Sequence, residues 1–140
     1  MTPTPIVLAV YGTLRRGERN HAFLAGSTFL GRGSVLGRLF EMPRSAARAY
    51  AYPALVLGGP SRVVVELYDI PDPAALAAAD DLEAFDPADE AGSQYVRRVV
   101  GIVDGPVAAA WVYLYNGPPA DMGEVIPDGD WVTFLARGGA

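Results

Sequence analysis

Val63-Val-Val-Glu-Leu-Tyr-Asp-Ile70 runs directly into Pro71-Asp-Pro-Ala-Ala-Leu-Ala-Ala-Ala-Asp-Asp-Leu-Glu83, and this junction decides the architecture. The first stretch is apolar and rich in β-branched residues, so it reads as a strand. The second reads as a helix from about Pro73 to Glu83 or shortly beyond, with Asp72 at the N-cap and Pro73 in the first turn. Upstream, Ile6 to Tyr11 reads as a buried strand ending at Gly12. Thr28 to Met42 carries glycines at 31, 33 and 37 among large apolar residues, the pattern of a bent or bulged strand pair. Pro53 to Leu57 is a short strand candidate. Downstream, Tyr95 to Val103 and Val107 to Tyr115 form a hairpin around Asp104-Gly105-Pro106. The tail from Asp128 to Leu135 adds a short strand or a turn of helix. The main helix falls between strands and does not alternate with them, which argues against a doubly wound parallel sheet. The expected fold is α+β: a small, curved, mostly antiparallel, barrel-like sheet with one main helix between strands. At 140 residues, positions 1–140 are expected to form one domain.

What is missing narrows the chemistry. The chain has no cysteine and one histidine, and its 11 basic residues are all arginine. Cysteine nucleophiles, Schiff-base lysines and the P-loop lysine are therefore excluded. One histidine cannot build the usual zinc ligand set, and any Ser-His-Asp triad would have to run through His21. No metal or cofactor is expected. The net charge of −5 argues against nucleic acid as a partner. No apolar run approaches the ~20 residues of a membrane span. The opening Met-Thr-Pro-Thr-Pro lacks the basic region of a signal peptide, and the absence of cysteine suits the cytoplasm. Carboxylates, tyrosines, arginines and backbone amides are left to do the work.

Two places stand out. At ~100° per residue, with Leu76 at zero, Ala79 lies near ~300°, Leu82 near ~240° and Glu83 near ~340°. Glu83 thus shares the apolar face, Asp80 borders it near ~40°, and Asp81 points away near ~140°. A carboxylate on that face needs a partner, a proton or a cavity. The other reading is that the helix has ended by Glu83, leaving it at a solvated rim. The second place is Val10-Tyr11-Gly12-Thr13-Leu14, where a buried strand gives way to a turn. Successive amides there could converge as a nest for a carboxylate or oxyanion, or the segment is an ordinary turn. Arg15-Arg16-Gly17-Glu18-Arg19-Asn20-His21 reads as a solvated loop, with His21 a turn or cap group.

Taken together, these segments resemble the gamma-glutamylcyclotransferase-like family, most closely its gamma-glutamylamine cyclotransferase branch. Tyr11-Gly-Thr-Leu-Arg-Arg-Gly-Glu-Arg-Asn-His21 is similar to the branch's opening signature. Asp80-Asp-Leu-Glu83 is similar to its Asp-Asp-aromatic-Glu segment, with Leu82 at the aromatic position, and Tyr95-Val-Arg97 to its Tyr-x-Arg. The likeness covers nearly the whole chain, with two departures. The stretch from Phe85 to Gln94 is longer than the family's version, and Gly117 to Trp131 has no firm counterpart.

The resemblance implies an enzyme acting on a small-molecule gamma-glutamyl substrate. Its catalytic acid/base would be Glu83, and the substrate's glutamyl end would be held at Tyr11, Gly12, Thr13 and Leu14. The substrate's own α-amine would attack its γ-carbonyl, releasing an amine and 5-oxoproline. Tyr95 and Tyr115 are candidates for stabilising the oxyanion. Two other readings stand beside this one. One is a non-enzymatic ligand-binding or interaction module on the same fold. The other is a hydrolase or lyase using Asp80 and Glu83 as paired carboxylates.

Overall fold

The longest strand organises the molecule. In the computed structural model, which describes residues 6–43 and 50–137, β1 (Ile6–Val10), β2 (Thr28–Met42), β3 (Tyr52–Ile70), β4 (Tyr95–Gly101) and β5 (Ala109–Tyr115) form one sheet in the order β2-β3-β1-β5-β4. Every neighbouring pair is antiparallel except β1 with β5, which run parallel. Met1 to Pro5, the segment read as lacking signal-peptide character, lies outside the described residues.

β3 carries apolar residues on both faces. Val63, Val65 and Leu67 join a core with Val35, Leu39, Val112, Ile126 and Trp131, while Tyr68 and Ile70 join a second core with Leu8, Leu76, Ala79 and Phe85. A sheet covered on both sides explains why Val63–Ile70 reads as a nearly continuous apolar run. Helix α1 (Pro73–Leu82) covers one face, and the short helix α2 (Trp131–Ala136) covers the other.

The α+β class and the mostly antiparallel sheet agree with the sequence reading, but barrel closure does not. β2 and β4 remain the two edges of the sheet. A single antiparallel bridge, Ser34 to Val103, links β2 to the turn beyond β4, with N···O distances of 2.8 Å in both directions. One bridge cannot replace a ladder. The Thr28–Met42 stretch is also one bulged strand and not a pair, with register shifts at Phe29/Gly31 and Leu36/Gly37. At the second shift Leu36 faces Arg62 while Gly37 faces Leu57, so 58–61 loop out of the ladder. The two strands expected at 53–57 and 63–70 are thus halves of β3. The C-terminal tail resolves as α2, whose N-cap Asp130 accepts from the Thr133 amide.

Helix α1 begins as its residues dictate. The Asp72 carboxylate accepts from the Ala74 amide at 2.9 Å, and Pro73 needs no hydrogen-bond partner. Its end is a Schellman turn: Phe85 N–H donates to the Asp80 carbonyl at 2.9 Å and Ala84 N–H to the Asp81 carbonyl at 3.1 Å. This places Glu83 at the C-cap and Ala84 at φ 52°, the left-handed region where glycine usually serves. A Cβ there costs roughly 1–2 kcal/mol, part of which is offset because glycine loses more chain entropy on folding. Ala84→Gly is therefore expected to raise unfolding stability by ~0.5–1 kcal/mol in urea titration, with the far-ultraviolet spectrum unchanged. A loss of stability would show that this turn is not held as described.

Candidate active site

The strand-to-turn junction at the end of β1 and the C-cap of α1 meet across one narrow cleft. Its walls are Ala9 to Leu14, Tyr52, Pro53, Glu83 and Tyr113. Glu83 is half-buried there and is the sole Asp or Glu among the described lining residues. The amides of Gly12, Thr13 and Leu14 are not taken up by another backbone carbonyl among the described residues. The carbonyls of Gly12 and Thr13 are used, accepting from Arg15 N–H at 3.0 Å and Asn20 N–H at 2.9 Å. The carbonyls of this turn are thus committed to the loop that follows.

The cleft is not the largest cavity. Its volume is only about 20 Å³, against about 730 Å³ in a groove that shares Tyr52 with it.

Gly12 is required by proximity, not by an unusual φ. A Cβ built there would stand 2.5 Å from Pro53 Cγ and 2.8 Å from Cδ. Its backbone lies outside the left-handed region. Pro53, at the start of β3, thus packs its ring directly on the turn.

The loop after Leu14 corrects the sequence reading most sharply. Arg15 is fully buried, whereas its neighbours Arg16 and Gly17 are exposed. Arg15 Nε donates to Glu66 Oε2 at 2.9 Å and Nη1 to Asp130 Oδ1 at 2.6 Å. Glu66 Oε1 accepts from the Arg16 amide and from the Tyr68 hydroxyl, each at 2.9 Å. One guanidinium therefore ties the turn to β3 and to the start of α2.

The electrostatics follow from these contacts. Burial alone would push the Glu66 carboxyl up, but the Arg16 amide, the Arg15 guanidinium and the Tyr68 hydroxyl outweigh it and hold it below its ordinary range. Asp130 is likewise held down, burial being outweighed by Arg15 and Thr133. Tyr68 shifts the other way: burial and its bond to Glu66 keep its proton on. A signal existed in Glu66, a charge in the middle of a strand apolar on both faces, which demands a buried cation.

Other motif residues serve as braces. Asn20 Nδ2 donates to Thr13 Oγ1 at 3.0 Å, and His21 Nδ1 lies 2.9 Å from the Leu14 carbonyl, a bond that calls for the Nδ1–H tautomer. The Tyr11 hydroxyl donates to the Tyr113 carbonyl at 2.6 Å, joining the turn to β5. His21 holds the loop and does not line the cleft.

Asp80 is buried and committed elsewhere. It accepts from Arg97 Nε at 2.8 Å and Nη2 at 3.1 Å, and from the Tyr113 hydroxyl at 2.6 Å. It is absent from the cleft walls, so Asp80 and Glu83 are not a pair acting on one substrate. Burial, and then the bond to Asp80, push the Tyr113 hydroxyl far above its ordinary value, which leaves it no role as a proton carrier.

The oxyanion candidates fail on position. Tyr95 is fully buried and its hydroxyl donates to the Pro53 carbonyl at 2.8 Å, while the Tyr115 hydroxyl donates to Pro118 at 2.8 Å. Neither lines the cleft; Tyr52 and Tyr113 do.

Glu83 and the Tyr11–Leu14 turn thus line one cleft on a small mixed sheet. The family model described as gamma-glutamyl cyclotransferase, AIG2-like, matches residues 8–133. A Vibrio cholerae protein named as a candidate gamma-glutamylcyclotransferase is 35% identical over 123 residues, covering 87% of this chain and 91% of that one. The gamma-L-glutamyl-butirosin B gamma-glutamyl cyclotransferase of Niallia circulans is 31% identical over 111 residues, covering 78% of this chain and 66% of that one. An uncharacterized Pyrococcus horikoshii protein shares the fold, with a TM-score of 0.71 at 24% identity and 95% coverage of both chains. The chain belongs to the AIG2-like gamma-glutamylcyclotransferase family and is an enzyme of that type.

Two consequences of the buried network can be measured. Removing one partner of a buried ion pair costs ~3–5 kcal/mol, so Glu66→Gln should lower unfolding stability by about that amount at neutral pH. Glu66 and Asp130 titrate lower in the folded chain than in the unfolded one. Their contribution is therefore complete above the ordinary carboxylate range and is lost as the pH falls through their depressed values. Urea midpoints recorded from pH 7 down to pH 3 should drop steeply for the native chain and less steeply for Glu66→Gln. Parallel curves would remove the network from the account.

Proposed function

We propose that the enzyme cyclises a gamma-glutamyl amine to 5-oxoproline with Glu83 as the single acid/base. The observation that carries this reading is the shared cleft: Glu83 and the Gly12–Leu14 turn line the same walls, with no second carboxylate among the described lining residues. The amides of Gly12, Thr13 and Leu14, with Tyr11 behind them, anchor the substrate's α-carboxylate. Glu83 takes a proton from the α-ammonium, whose nitrogen then attacks the γ-carbonyl. A new C–N bond closes the five-membered lactam as its nitrogen gives up a second proton, the old C–N bond breaks, and the departing amine receives both protons by way of Glu83 and leaves as an ammonium. Atoms balance without water, metal or a protein nucleophile. Intramolecular attack in a held geometry reaches effective molarities of ~10⁵ M or more, which suits a chain without cysteine or lysine.

The narrowness of the cleft requires the walls to part when the glutamyl chain enters. Positions 1–140 act as one domain in this reading. The absence of cysteine fits action in the cytoplasm, and no helix among the described residues is long and apolar enough to cross a membrane.

Kinetics of Glu83→Gln test the assignment. Gln matches the shape but carries no proton, and general acid/base groups contribute ~10²–10⁴-fold. Turnover of a gamma-glutamyl amine should fall by that factor with the unfolding midpoint little changed; activity within a few-fold of the native enzyme would place the acid/base elsewhere. Gly12→Ala tests the anchor separately. Its Cβ would collide with Pro53, and overpacking of this kind costs ~1–3 kcal/mol, so KM should rise more than kcat falls. An unchanged KM in a folded variant would mean that the turn does not hold the substrate.

A further inference from the structure

The groove beside the cleft is made of parts the catalytic reading leaves unused. Its walls come from the end of β2 (Met42, Pro43), the start of β3 (Tyr52), the residues leading into β4 (91–94) and those following β5 (115–118, 120, 121). Tyr52 belongs to both cavities. A substrate whose glutamyl end lies between Glu83 and the turn therefore has one large space next to it for the rest of the molecule.

The groove is braced. Gln94 Nε2 donates to the Tyr52 hydroxyl at 2.8 Å, and Asn116 Nδ2 donates to the carbonyls of Glu90 and Ser93 at 2.9 and 3.0 Å. Asn116 N–H donates to the Gln94 carbonyl at 2.8 Å. Hydrophobic surface is provided by Met42, Tyr52, Tyr115 and the two prolines Pro43 and Pro118. Among the described lining residues Asp121 is the sole Asp, Glu or Arg. Its charge is felt inside the groove, since the Tyr115 hydroxyl is raised first by burial and then by Asp121.

We propose that this groove is the leaving-amine subsite, and that Asp121 makes it favour amines carrying a second, distal positive charge over amines ending in a carboxylate. The proposal rests on the cyclotransferase reading given above and adds to it the class of substrate. An alkyl segment lies along Met42, Tyr52 and Tyr115, and the distal ammonium reaches Asp121 near the open end. Asp121 is exposed, so the selection is a matter of several-fold and not of orders of magnitude: exposed charge pairs shift affinity by about two- to fivefold.

Three substrates of equal length separate the possibilities: the gamma-glutamyl amides of 1,4-diaminobutane, of butylamine and of 4-aminobutyrate. With the native enzyme, kcat/KM for 5-oxoproline release should rank diamine above butylamine above aminobutyrate, each step about two- to fivefold. Asp121→Asn should bring the three together, lowering the diamine and raising the aminobutyrate relative to the butylamide. Turnover of all three at equal kcat/KM, or a ranking that Asp121→Asn does not alter, would overturn the groove assignment and leave the cyclotransferase reading standing. Failure to release 5-oxoproline from any of the three would overturn both.

Discussion

Arg15 sits fully buried between Glu66 of β3 and Asp130 at the start of α2, and the position of the turn before it depends on that contact. A guanidinium taken out of water costs several kcal/mol, returned only when the acceptors are aligned. Here two carboxylates and a fixed set of further donors align them: the Arg16 amide and Tyr68 hydroxyl on Glu66, Thr133 on Asp130. The net gain over an apolar cluster of the same volume is small or negative by the same principle. We take the network's role to be register. A slide of the turn by one residue would leave a buried cation and two carboxylates unmatched.

From that anchor the site follows by contact. With Arg15 held, Gly12 must pass under the ring of Pro53, where no side chain fits. Tyr11 reaches across to the Tyr113 carbonyl, and Tyr113 hands its hydroxyl proton to a bond with Asp80. Asp80 in turn is clamped by Arg97, whose guanidinium also lies over the Trp111 ring at 4.6 Å. These bonds join the turn, β5, α1 and β4 in one chain of contacts and set the end of α1 against the cleft. The Schellman turn at Ala84 then stops the helix at Glu83, which lines the cleft. Two acidic residues three apart thereby take different places, Asp80 locked in an ion pair with Arg97 and Glu83 at the wall of the cleft.

Much of this was legible in the residues. The α1 start, the hairpin and the Tyr11–Leu14 turn follow from local pattern, because each depends on neighbours in sequence, whereas the helix ends at Leu82 and Glu83 is its half-buried C-cap rather than a residue of its apolar face. Barrel closure was misjudged because it depends on whether distant edges meet, and Ser34 with Val103 is a single bridge where closure needs a ladder. Arg15 was misread as solvated for the same kind of reason: its partners lie 51 and 115 positions away. Tyr95 and Tyr115 share a strand spacing with true cavity residues, and only the register of β4 on β5 shows that their hydroxyls turn toward prolines. The groove could not be read at all, since its walls come from several separate segments.

In the proposed reaction the attacking nitrogen belongs to the substrate and Glu83 only moves its protons. Turnover in ¹⁸O-enriched water, followed by mass spectrometry of the acyl product, addresses that claim directly. The account predicts unlabelled 5-oxoproline in amounts equal to the released amine, because no water oxygen enters the bond-making step. Glutamate carrying ¹⁸O in its γ-carboxylate would show water as the nucleophile and would contradict it.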